Sequence, residues 1–117
     1  MSDYLVKNIL SKVGFHVIGN TEPLQSLTIL LRSKKPDLIF MDIKMPGVEG
    51  HNILQLIKRS RKLKDIPVIM LTAEKDPFEQ VKSRLLGAVG YITKPFSAEE
   101  LITKVEETLA RKIEKNI

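Results

Sequence analysis

The sequence predicts an α/β fold in which a doubly wound parallel sheet carries helices on both faces. Two observations lead there. Short apolar runs, Leu38–Met41, Ile66–Leu71 and Val89–Ile92, alternate along the chain with longer segments of helical periodicity, and strands that alternate with helices form a parallel sheet. The first two runs are apolar throughout, as strands covered on both sides require. At 117 residues, the length fits one domain over residues 1–117.

The elements follow in order. Residues 3–13 place Tyr4, Leu5, Ile9, Leu10 and Val13 at helical spacing, and Gly14 supplies a stop. Phe15-His16-Val17-Ile18 reads as a short strand. Pro23 to about Arg32 reads as a helix with Leu24, Leu27, Leu30 and Leu31 on its apolar side. After Leu38–Met41, a helix from about Glu49 to Arg61 turns Ile53, Leu54, Leu56 and Ile57 inward. Pro67 is tolerated near the start of the next strand, where the ladder needs no donor. Asp76-Pro77-Phe78-Glu79 combines a cap, a proline at the first helical position and a glutamate three residues after the cap. It opens a helix to about Leu86, closed by Gly87. Val89 to Thr93 is the last strand, and Ser97-Ala98-Glu99-Glu100 is a second capping box that opens the final helix.

Composition narrows the function classes. The chain is 43% hydrophobic and 28% charged, values of a water-soluble globular protein. No apolar run approaches the roughly 20 residues of a membrane span. Met1-Ser2-Asp3-Tyr4 lacks the basic start and apolar stretch of a signal peptide, so the cytoplasm is the expected location. With no cysteine, neither a disulfide nor a thiolate metal site exists. The net charge of +5 is densest in Lys58-Arg59-Ser60-Arg61-Lys62-Leu63-Lys64, with five cations in seven positions. No aromatic residue interleaves them to stack on bases. A solvated helix end that complements the helix dipole is the expected reading, and nucleic acid is not an expected partner.

Ligands of a parallel sheet bind beyond the carboxyl ends of its strands. Asp42 follows the first long run, Thr72 the second, and Thr93 and Lys94 the third. A carboxylate can act as a nucleophile and form an acyl phosphate, while a hydroxyl and an ammonium can hold phosphoryl oxygens. Polar residues often end strands, so any one of these positions is weak evidence. Three on one edge are stronger.

Several motifs in register carry a resemblance. Met41-Asp42-Ile43-Lys44-Met45-Pro46-Gly47, Leu71-Thr72-Ala73 and Gly87-Ala88-Val89-Gly90-Tyr91-Ile92-Thr93-Lys94-Pro95-Phe96 resemble the signatures of response regulator receiver domains of two-component signalling. The intervals of thirty residues from Asp42 to Thr72 and twenty-two from there to Lys94 fit as well. The resemblance implies a flavodoxin-like fold and a set of roles. Asp42 would accept phosphate from a histidine kinase or phosphotransfer protein, Thr72 would bind the phosphoryl group, and Lys94 would pair with it. The main-chain carbonyl of Lys44 would join Asp42 in binding Mg2+. Tyr91 would turn inward as the switch aromatic, where a half-buried strand tyrosine is the plainer reading. Lys94-Pro95 would be cis. A phosphate-independent interaction module is the alternative function.

Receivers open with an apolar strand that ends in an acidic pair. Here the first helix begins almost at Met1, so the expected fold is truncated, with about four strands and five helices. In the family's strand order, 2-1-3-4-5, the absent strand is an inner one. About five buried apolar side chains at ~1.5–3 kcal/mol each are at stake. The expectation is therefore that Phe15–Ile18 pairs directly with Leu38–Met41, or that a second chain fills the slot by homodimerisation or strand swapping. Without the pair, Mg2+ binding is expected to be weak. Glu74, Asp76 and Asp3 are alternative carboxylates, each more plausible as a cap or surface charge.

Other classes lack their marks. No Gly-rich loop opens a helix, as a nucleotide or flavin binder would need, and no Gly-x-Ser-x-Gly elbow is present. His16 and His51 stand alone in sequence and read as structural. The final helix runs nearly to Ile117, so no output domain is expected after it.

Overall fold

The strand Val68–Thr72 is the centre of the molecule because all five of its residues are buried. A computed structural model describes residues 2–15, 35–45, 48–73 and 77–115. In chain order these hold α1 (Ser2–Lys12), β1 (Ile39–Asp42), β2 (Lys44–Met45), β3 (Val48–Glu49), α2 (Gly50–Arg59), β4 (Val68–Thr72), α3 (Pro77–Leu85), β5 (Gly90–Thr93) and α4 (Ala98–Lys115). The main sheet is parallel with order β1-β4-β5.

The pleat sends alternate residues of β4 to opposite faces. Val68 and Met70 join Ile39, Met41, Ile53, Leu54 and Ile57 beneath α2. Ile69 and Leu71 join Val6, Leu10, Ile92, Leu101 and Val105 beneath α1 and α4. Leu54 is fully buried. Leu54→Ala is expected to cost about 2–5 kcal/mol, read as a lower midpoint in urea with an unchanged slope.

Helix ends follow their sequence signals closely. Gly87 adopts φ +108, the left-handed region where a side chain is disfavoured. Its N–H donates to Arg84 O at 3.0 Å, and Ala88 N–H donates to Ser83 O at 2.9 Å, closing α3 in a Schellman motif. Gly14, at φ +97, closes α1 in the same way, with Phe15 N–H donating to Leu10 O. At α4, Glu100 N–H donates to Ser97 Oγ at 3.0 Å. The Glu100 carboxylate accepts from the Ser97 hydroxyl at 3.4 Å, a variant of the expected box.

Some expectations are corrected. Leu56 is 47% exposed; on a helix it falls about 100° from the stripe centred on positions 53, 54 and 57. Val13 lies past the end of α1 and is also exposed. The antiparallel ribbon β2–β3, with Lys44 opposite Glu49 and Met45 opposite Val48, was not expected. Residues 16–34, which include most of the expected strand Phe15–Ile18 and the helix from Pro23 to Arg32, lie outside the described residues. So do Glu74 and Asp76. Phe15 itself is not in a strand. Among the described residues β1 pairs only with β4.

Within the basic segment, Lys58 has a structural role. Lys58 Nζ donates to Lys64 O at 3.0 Å and Ile66 O at 2.9 Å, tying the end of α2 to the turn that leads into β4.

Candidate functional site

Parallel pairing aligns the strand ends and gathers the predicted residues at one edge. Asp42 ends β1 opposite Leu71, and Thr72 ends β4 opposite Thr93. Two backbone bonds carry the ladder one step further: Ile43 N–H to Leu71 O at 2.9 Å, and Lys94 N–H to Thr72 O at 2.6 Å. This anchoring aims Lys94 across the edge, where its Nζ donates to Asp42 Oδ1. The two side chains are 29% and 20% exposed, so the pair is shielded but reachable. Thr72 is buried. The Lys94-Pro95 peptide is cis.

Tyr91 lies opposite Met70 on β5 and packs, half-buried, against the core beneath α2. Alternation places it on the same sheet face as Thr72, two residues beyond Met70. Lys44 lies in β2, two residues past Asp42. Asp3 lies in α1.

The main chain of Asp42 is also crowded from behind. Gly50, the first residue of α2, donates its N–H to Ile43 O at 2.5 Å. A Cβ there would overlap Asp42 O and lie 2.8 Å from Ile43 Cα.

The described residues do not make a complete magnesium site. Mg2+ demands near-octahedral oxygen ligation. Asp42 joins no group of three His, Asp or Glu ligand atoms among the described residues, and one of its oxygens already accepts from Lys94. That leaves one carboxylate oxygen and, from the resemblance, one carbonyl.

A second polar cluster escaped sequence reasoning. His51, 1% exposed, has its Nε2 2.8 Å from Ser83 Oγ and its Nδ1 3.2 Å from Glu49 Oε1. The Glu79 carboxylate is 3.5 Å from the same Nδ1. Lys82 Nζ approaches Glu49 at 3.6 Å. The hydrogen bond from His51 and then the Lys82 charge hold the Glu49 carboxyl below its ordinary range. His51 was expected to stand alone as a structural residue; the structure instead sets it among Glu49, Glu79 and Ser83. The only cue in the sequence was a histidine on the inward face of α2.

A parallel α/β sheet with an ion-paired aspartate at its carboxyl end is the arrangement of a flavodoxin-like fold of the receiver type. The chain belongs to the response regulator receiver domain family, whose sequence profile matches residues 3–106. It is 37% identical over 100 residues to Protein PilG of Pseudomonas aeruginosa, a match covering 86% of this chain and 73% of that protein. It is also 37% identical to the phosphate regulon transcriptional regulatory protein PhoB of Klebsiella pneumoniae, covering 88% of this chain but 44% of PhoB. The solved receiver domain of NtrX from Brucella abortus superposes with a TM-score of 0.83 at 30% identity, covering 91% of this chain and 88% of that one. Membership makes the chain a regulatory domain of two-component signalling rather than a conventional enzyme. No helix among the described residues is long and apolar enough to cross a membrane.

Proposed function

We propose that Asp42 accepts a phosphoryl group from a histidine kinase or phosphotransfer protein, and that the modified edge changes a surface read by a downstream protein. The observation that carries this reading is the Lys94–Asp42 ion pair at the carboxyl edge, beside Thr72. An Asp42 carboxylate oxygen attacks the phosphorus of a phosphohistidine. The new P–O bond forms as the P–N bond breaks, and the imidazole leaves with the electron pair and takes up a proton. Lys94 balances the charge on the transferring oxygens, and Thr72 supplies a hydroxyl to hold one of them. Tyr91, on the same sheet face as Thr72, follows that hydroxyl inward.

Receivers bind Mg2+ through acidic residues. With the incomplete set of oxygens described above, binding here is weak and phosphorylation slow. The other side of β1 would be paired either by Phe15–Ile18 or by a second chain, through homodimerisation or strand exchange, since an unpaired strand edge invites pairing.

The test is intact mass after incubation with acetyl phosphate, with and without magnesium. A phosphate adduct that needs magnesium supports the reading. No adduct on a folded sample would favour a phosphate-independent interaction module, the reading supported by the lack of an acidic cluster around Asp42 among the described residues. Lys94→Gln is expected to lower adduct yield at least about tenfold, since one transition-state donor contributes ~10²–10³ in rate. Quantifying the adduct over time checks this.

A further inference from the structure

We propose that Glu49, His51 and Glu79 form a site for a borderline divalent cation of the zinc class, separate from the sheet edge. The three donor atoms lie within 4.8 Å of one another. His51 Nδ1 is 3.2 Å from Glu49 Oε1 and 3.5 Å from Glu79 Oε2. Ligands at ~2.0–2.1 Å around a tetrahedral zinc ion are spaced at about 3.3–3.4 Å, so both separations fall close to a tetrahedral edge before any ion arrives.

The far side of the imidazole is set for ligation. With Nδ1 bound to a cation, Nε2 carries the proton and donates to Ser83 Oγ, 2.8 Å away. Such a bond fixes the tautomer and orients a ligating ring. His51 and Ser83 are 1% and 0% exposed, so the ring is held by packing. Glu49 is the N-cap residue of α2, yet its carboxylate makes no capping bond; it turns to His51 instead. Its 46% exposure leaves a route from solvent, and Glu79 is 20% exposed. Water from that side completes the coordination.

The nitrogen ligand selects the cation. Magnesium and calcium prefer oxygen alone, whereas imidazole with carboxylates suits zinc and its first-row neighbours. Lys82 occupies part of the same field beside Glu49 and is displaced when the cation enters. The bound ion joins the adjoining β3 and α2 to α3, which begins at Pro77. It would lock the junction at which Gly50 meets the main chain of Asp42.

The untagged full chain, stripped with chelator, is titrated with Co2+ and followed by its visible d–d absorption, then back-titrated with Zn2+. One Co2+ per chain, displaced by Zn2+ and raising the melting temperature, is expected. Glu49→Gln and Glu79→Gln each weaken binding at least about tenfold, Lys82→Gln tightens it, and Glu99→Gln on α4 leaves it unchanged. Absence of saturable binding, or unchanged affinity in both ligand variants, overturns the proposal. So does a signal that persists in those variants but vanishes in Asp42→Asn, which would assign the cation to the sheet edge.

Discussion

Asp42→Asn is expected to gain no phosphate from acetyl phosphate under conditions in which the unaltered chain does, as read by intact mass. The change keeps the shape of the side chain and an oxygen that can accept from Lys94, but a neutral amide oxygen is a poor nucleophile towards phosphorus. Stability should hardly move. The ion pair is partly exposed on both sides, and such pairs contribute about 0–1 kcal/mol. A melting temperature close to the original, with complete loss of the adduct, separates lost chemistry from lost fold. An adduct that survives would place the acceptor elsewhere and remove the basis for Asp42 as the signalling residue.

Gly50→Ala is expected to lower stability, against the direction that helix propensity predicts. At an ordinary helical position, alanine is favoured over glycine by about 0.8–1.0 kcal/mol. Here the new methyl group meets the carbonyl of Asp42 and the Cα of Ile43. These are backbone atoms, which cannot swing aside as a lysine stem can. Forcing extra volume into a packed site costs typically about 1–3 kcal/mol, so the overlap should outweigh the propensity gain. Urea unfolding gives the sign directly. A stabilised Gly50→Ala protein would mean that α2 begins farther from Asp42 than the structure places it. Because the displaced group is the main chain of Asp42, the variant should also phosphorylate less well than its remaining stability accounts for.

What the sequence made legible is what short-range chemistry determines. The apolar runs located β1, β4 and β5 to within two residues, and the glycines after α1 and α3 marked both Schellman closures. The edge residues Asp42, Thr72 and Lys94 were legible because parallel strands end together. The ribbon β2–β3 was not, since two-residue strands carry no periodicity. Nor was the contact of Gly50 with Asp42, which depends on how α2 is seated. The His51 cluster stayed hidden for a related reason. Glu49 and His51 lie near each other in sequence, but Glu79 and Ser83 reach them only through the packing of α3 against α2.

Helix α3 is built inside out, and this bears on which part of the domain yields first. Phe78, Val81 and Leu85 are 68%, 55% and 81% exposed, while Ser83 is its one buried residue. Helix α2 buries five residues, among them Ile53, Leu54 and Ile57. Local opening is cheapest where little apolar surface is shielded. Lifting α3 from the domain would sacrifice a polar clasp and the Schellman turn, while both core clusters under the sheet stay closed. The protein therefore has two tiers of cohesion: a tightly bound slab of sheet, α1, α2 and α4, and one loosely fastened helix free to be re-seated without unfolding the rest.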